Sequence, residues 1–186
     1  DFTKLITEQT KMIVISHASN VTGALFPIKA LGEELSNHHA TIVVDASQTA
    51  GKIDIQMERD HIDLLAFAGH KGLMGPQGTG VLISKQDYGL EPLIHGGTGT
   101  HSELERQPEQ WPERYEAGTL NTPGIAGLLA GVQAIKEKGI DSIRSYEEEL
   151  MRTFIEGLTK LEYVTCYGPR DLQKRVAVVS FHVEHI

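Results

Sequence analysis

Cysteine is almost absent from this chain of 186 residues: Cys166 stands alone, so no internal disulfide can form and the core must hold by packing. Such usage suits the reducing cytoplasm, which is the expected compartment. Basic residues are in the minority, 17 Lys and Arg against 25 Asp and Glu, and the formal charge of −8 opposes attraction to nucleic acid or to anionic membranes. Neither is expected as a partner. No apolar run approaches the roughly 18 residues of a membrane span, and residues 1–10 show no signal-peptide pattern. The chain also lacks GxGxxG and GxxxxGK followed by Ser or Thr, the usual nucleotide-cradling loops. It does contain a Gly-rich stretch over residues 69–80, but that stretch precedes a strand instead of opening a helix.

What is present is glycine, 19 residues of it, in a chain whose 40% hydrophobic content is enough for one sizeable core. Residues 1–10 read as the end of a helix. Met12-Ile13-Val14-Ile15 is a short β-branched run of the kind found in a strand buried on both faces, which implies a parallel sheet. Ile28, Leu31 and Leu35 recur at helical spacing after Pro27 and lead to a strand at 41–44, a β-α-β crossover. Further strands are expected at 62–67 and 80–84, helices at 123–138 and 141–159, and a final strand from Arg175 to Val183. Between Gln86 and Glu116 the chain is polar and rich in Gly and Pro, longer than an ordinary connection, and reads as functional or as a subunit interface.

Two residues suggest chemistry. Lys71 follows the apolar run Ile62, Leu64, Leu65, Ala66, Phe67 and precedes Gly75-Pro76-Gln77-Gly78-Thr79-Gly80, so it reads as a lysine at a buried strand end. Burial favours a neutral amine, a nucleophile able to form a Schiff base with a carbonyl cofactor such as pyridoxal phosphate. Asp45 ends the apolar strand Thr41-Ile42-Val43-Val44, where an open α/β sheet presents ligand-binding groups. A carboxylate there suits a pyridine nitrogen that must stay protonated, although an Asp in this position is more often a turn or cap residue.

Four segments in order carry a resemblance: Ser16-His17-Ala18-Ser19-Asn20-Val21-Thr22-Gly23, Val44-Asp45-Ala46-Ser47-Gln48, Gly69-His70-Lys71 with Gly75-Pro76, and Glu116-Ala117-Gly118-Thr119-Leu120-Asn121. Together they resemble the signatures of class V aminotransferases, the cysteine desulfurase and selenocysteine lyase branch above all. The resemblance implies a fold-type I pyridoxal-phosphate enzyme: α/β, with a predominantly parallel sheet and helices on both faces. It implies that Lys71 is the Schiff-base lysine, Asp45 the partner of the pyridine nitrogen, Gln48 and Asn20 polar contacts to the ring's phenolic oxygen and its neighbours, and His70 a donor to the cofactor phosphate. Thr119 resembles a residue that reaches the cofactor of a neighbouring subunit, hence a homodimer. Many relatives have Ser where this chain has Ala68, so the resemblance does not imply that one phosphate hydrogen bond here.

The resemblance further implies a piece of a longer protein, with residues 1–170 a partial cofactor-binding large domain and 171–186 the start of a small C-terminal domain. A phosphate-binding turn, a ring-stacking histidine, a nucleophilic cysteine and a substrate-carboxylate arginine would then lie in segments outside it. The substrate would be an amino acid, with desulfuration of cysteine the leading outcome, transamination or a related lyase reaction the alternative, and a scaffold without catalysis a third reading. The isolated chain is expected to be inactive.

Each assignment has a plainer competitor. Asn20 with Gly23 makes a turn, His70 suits a core histidine, Gln48 a cap and Thr119 the N-cap of the helix near 123. Cys166 alternates with its neighbours ahead of Gly168-Pro169, a packing position in a strand. His38 and His39 at a helix end read as solvated, and His182 and His185, three apart in a strand, point to opposite faces and share no metal.

Overall fold

The structure is a computed structural model that describes residues 2–97 and 105–184. Part of the long 86–116 segment, and His185 of the His182/His185 pair, lie outside the described residues.

Four strands, β1 (Met12–Ser16), β2 (Thr41–Asp45), β3 (Leu64–Ala68) and β4 (Gly80–Ser84), form one sheet in the order β1-β2-β3-β4. The pairs β1–β2 and β2–β3 are parallel, and β3–β4 is antiparallel. This α/β architecture with a mostly parallel sheet is the class read from the sequence. β4 turns back because its connection from β3 is a compact glycine loop with no crossover helix, which a parallel return requires.

Helix α1 (Ile28–Glu34) makes the β1-to-β2 crossover. Ile28 packs with Ile42, Val44, Ile62 and Leu65, and Leu31 packs with Ile13 and Ala40. These odd and even positions belong to one sheet face, as alternation along paired strands demands. On the opposite face Met12 and Val14 of β1 are 48% and 68% exposed, so that strand is half-buried instead of covered on both sides.

Helix α2 (Thr122–Lys138) begins at Asn121, whose side chain accepts from the Gly124 backbone N–H at 3.1 Å. Asn121, not Thr119, is therefore the N-cap. Leu128 and Ile135 of α2 pack on Leu73, and α2 approaches the glycine loop through Gly127 and Gly131. Gly139, at φ 83, ends α2 and starts α3 (Ile140–Leu158).

The final strand is shorter than expected. Arg175 is only 2% exposed and lies in a clasp ahead of the strand, giving hydrogen bonds to the backbone oxygens of Pro169, Thr22 and Val178, so strand geometry begins at β6 (Ser180–Val183). β6 pairs antiparallel with β5 (Val164–Tyr167) in a separate two-stranded sheet. Cys166 is half-buried in β5, facing the same side as Val164. Residues 2–5 form a 3-10 turn instead of a helix end. His38 is tied down: its Nε2 lies 3.1 Å from the Thr7 carbonyl oxygen and its Nδ1 accepts from the Ala40 N–H. No helix among the described residues is long and apolar enough to cross a membrane.

Candidate active site

The site lies at the carboxyl ends of β2 and β3. β2 stops because Asp45 turns the chain: its Oδ1 accepts the Ser47 backbone N–H at 2.8 Å, an Asx turn. Ala46 and Thr49, both 0% exposed, anchor the turn beneath, while Asp45 faces solvent. The turn reading and the ligand-facing reading of Asp45 are thus compatible, since only one carboxylate oxygen is used by the turn. Gln48 follows, half-buried, on the same turn.

From β3 the chain enters a loop bound to that turn. The Ala68 N–H donates to the Ser47 hydroxyl at 3.3 Å, and the Gly75 N–H donates to the Gly69 carbonyl at 2.8 Å, folding the loop back on itself. A side chain on Gly51, at φ 81, would meet the Gly72 carbonyl at 2.8 Å. The two turns therefore interlock backbone to backbone, an approach only glycine permits.

This docking corrects one expectation. Lys71 is exposed, not buried: the apolar run ends inside β3, and the interlocked loop carries residues 70 and 71 out over the neighbouring turn. His70 is exposed as well, which removes the core-histidine reading. Lys71 and Gln48 open on a cleft of about 420 Å³. Asp45 opens on a second cleft of about 860 Å³ beside Thr79, Trp111, Tyr115 and Asn121. Ser47 lines both.

Asn20, His70 and Thr119 line neither cleft. Asn20 is exposed in a turn built by its neighbour Ser19, whose hydroxyl accepts from the N–H groups of Val21 and Thr22. Thr119 is exposed after Gly118, whose φ is 80. The structure thus brings Lys71, Gln48 and Asp45 together around Ser47 and leaves the other three at the margin.

Four groups at the site were not singled out in the sequence. Ser47 joins the two turns. Lys52 forms an ion pair of 2.6 Å with Glu147 of α3 at the rim of the Lys71 cleft, a contact across 95 positions that no local pattern signals. His17, at the end of β1, places Nδ1 3.0 Å from the Thr49 hydroxyl, and its backbone N–H donates to the Asp45 carbonyl. Burial pushes His17 below the ordinary histidine value, against the opposing pull of Asp60. Asp60 itself is held low: burial alone would raise it, but hydrogen bonds from Arg59 and the Gln56 N–H outweigh that.

The Aminotransferase class-V family model matches residues 1–186. The chain is 42% identical over 177 residues to a probable cysteine desulfurase of Pyrococcus abyssi, covering 93% of this chain and 44% of that protein. It is 34% identical to a cysteine desulfurase of Salmonella newport, over 96% of this chain and 44% of that one. Among solved structures it is similar to the apo cysteine desulfurase of Thermococcus onnurineus NA1, with a TM-score of 0.84 and 40% identity over 95% of this chain and 45% of the other. It is also similar to the cysteine desulfurase CsdA (S-sulfonic acid) of Escherichia coli, at 0.87 and 25%, over 100% and 46%. The chain spans less than half the length of these relatives. With a family match over its whole length and a fold shared with cysteine desulfurases, the chain belongs to the class-V aminotransferase family.

Proposed function

We propose that this chain supplies the lysine-bearing part of a pyridoxal-phosphate enzyme that removes sulfur from cysteine. One observation carries the reading: an amine and a carboxylate, from the ends of adjacent strands, open on two clefts that meet at Ser47. The chemistry of the donor set fits the cofactor. Lys71 offers an accessible amine, Asp45 keeps one carboxylate oxygen outside its turn, and Gln48 offers an amide beside the lysine.

When bound, pyridoxal phosphate supplies an electron sink for negative charge at the substrate α-carbon. Lys71 would hold the cofactor through its aldehyde carbon and, once displaced by the substrate amine, take or return a proton at the α-carbon. Asp45 would keep the pyridine nitrogen protonated, and Gln48 and Asn20 would orient the ring through its polar substituents. His70 would donate to the phosphate. Thr119, exposed ahead of α2, would reach the cofactor of a second subunit in a homodimer. Residues 1–170 would form the partial cofactor-binding domain and 171–186 the start of a small C-terminal domain, a division supported by the separate β5–β6 sheet at this end of the chain, whose first strand lies ahead of 171. Single-cysteine usage supports a cytoplasmic setting.

The test is borohydride reduction of the cofactor-loaded full-length protein followed by peptide mapping, with sulfide and alanine release from cysteine measured in parallel. A pyridoxyl label on Lys71 and stoichiometric sulfide are expected. A label on another lysine removes the site assignment, and amino-group transfer without sulfide makes the protein an aminotransferase.

A further inference from the structure

The cleft that holds Lys71 is lined by charges from three elements: Lys52 after β2, Lys138 at the end of α2 and Glu147 on α3. Lys138 is drawn to one side, its ammonium 6.0 Å from the Tyr146 ring centroid. Lys52 is tied to Glu147, with the two side chains only 26% and 20% exposed. The aliphatic stem of Lys52 lies along Gly72, the residue after Lys71: a side chain at Gly72 would come within 3.1 Å of Lys52 Cγ and 3.2 Å of its Cε. Glu147 Oε2 is buried without a hydrogen-bond partner, so this carboxylate relies on Lys52. His70 adjoins Lys71 in the chain and stays outside the cleft.

We infer that Lys52 and Glu147 act as a positioning pair for Lys71, the stem of Lys52 bracing the Lys71 turn and the Glu147 carboxylate masking the Lys52 charge from the Lys71 amine. The inference rests on the reading of Lys71 as the cofactor lysine. An unmasked ammonium in the same cleft would discourage protonation of Lys71, and an unmasked carboxylate would favour it. Because Glu147 sits on the long helix leading to β5, the pair also ties the position of α3 to the cofactor end of the sheet.

The experiment uses the full-length protein without cofactor, its lysines reductively methylated with carbon-13, and follows the pH profile of the Lys71 signal by NMR. That signal is assigned by its loss in Lys71→Arg. Glu147→Gln should move the profile to lower pH and Lys52→Met to higher pH, each by about half a unit, as expected for one partly solvated charge. The double variant should return to the parent profile. An unmoved profile in both single variants, or displacement in one direction in both, overturns the inference. Should Glu147→Gln fail to fold, Lys52→Met and Lys52→Arg still decide, because only the former should move the profile. Borohydride mapping of the same proteins loaded with pyridoxal phosphate reports separately whether Lys71 is the cofactor lysine.

Discussion

At Asp45 the turn and the proposed cofactor role share one side chain, and a substitution can separate them. Asp45→Asn keeps an oxygen for the Ser47 N–H but removes the charge, so folding by circular dichroism should persist while turnover of the full-length enzyme falls on the order of 100-fold. Unchanged turnover would make Asp45 a turn residue only. His17 is held below its ordinary value of 6.5 by burial, so the unfolded chain binds the proton first as pH drops. The stability that neutral His17 contributes is therefore fully present above about pH 6.5 and is lost as pH falls from there toward its lower folded-state value. His17→Gln should flatten the pH dependence of the urea midpoint between about pH 7 and 5. Cys166, half-buried in β5, should be replaceable by Ser without loss of the proposed desulfurase activity of the full-length protein and with a stability loss of about 1 kcal/mol. Gln48 was singled out by the family resemblance alone, and the positions of Asp45 and Lys71 after apolar strands were legible in the sequence from the runs that precede them. The exposure of Lys71 was not, since it depends on a loop seated on a turn some twenty residues earlier in the chain.

Among the elements, α2 governs the lysine loop. Gly131 faces the backbone of Leu73 and Met74, and Gly127 sits against the Pro76 ring. Gly131→Leu should force the helix off the loop, costing about 1–3 kcal/mol in denaturant unfolding and weakening cofactor retention by the full-length protein. Gly157, which meets nothing within 4 Å, is the control: Gly157→Ala on α3 should leave both unchanged or slightly stabilise. The helices and the parallel pairs follow from apolar spacing. The antiparallel return of β4 and the pairing of β5 with β6 do not, because strand partners are chosen by what each face buries.

Across the whole molecule, apolar surface stays open where a larger assembly would cover it. Val14 is 68% exposed on the sheet, and Ile125 and Leu129 are 50% and 56% exposed along one side of α2. As an isolated polypeptide the 186 residues should self-associate, and Val14→Lys with Leu129→Glu should reduce that association. Light scattering after size exclusion measures both. A monodisperse monomer in the unsubstituted chain would show that these faces need no cover.

The sequence by itself determined the α/β class, the family and the residues at the ends of β2 and β3. The class and the strand ends depend on short-range patterns, apolar runs that end at a strand terminus and glycines where backbone must pass close to backbone, and the family on four motifs in order that resemble its signatures. Only the tertiary structure decided that the Asp45 and Lys71 turns interlock through Gly51 and Gly72, that Arg175 clasps the turn after Asn20, and that Lys52 meets Glu147 beside Lys71. Such contacts join positions from about twenty to more than a hundred and fifty residues apart. They arise from burial and charge pairing among elements whose mutual placement no local pattern encodes.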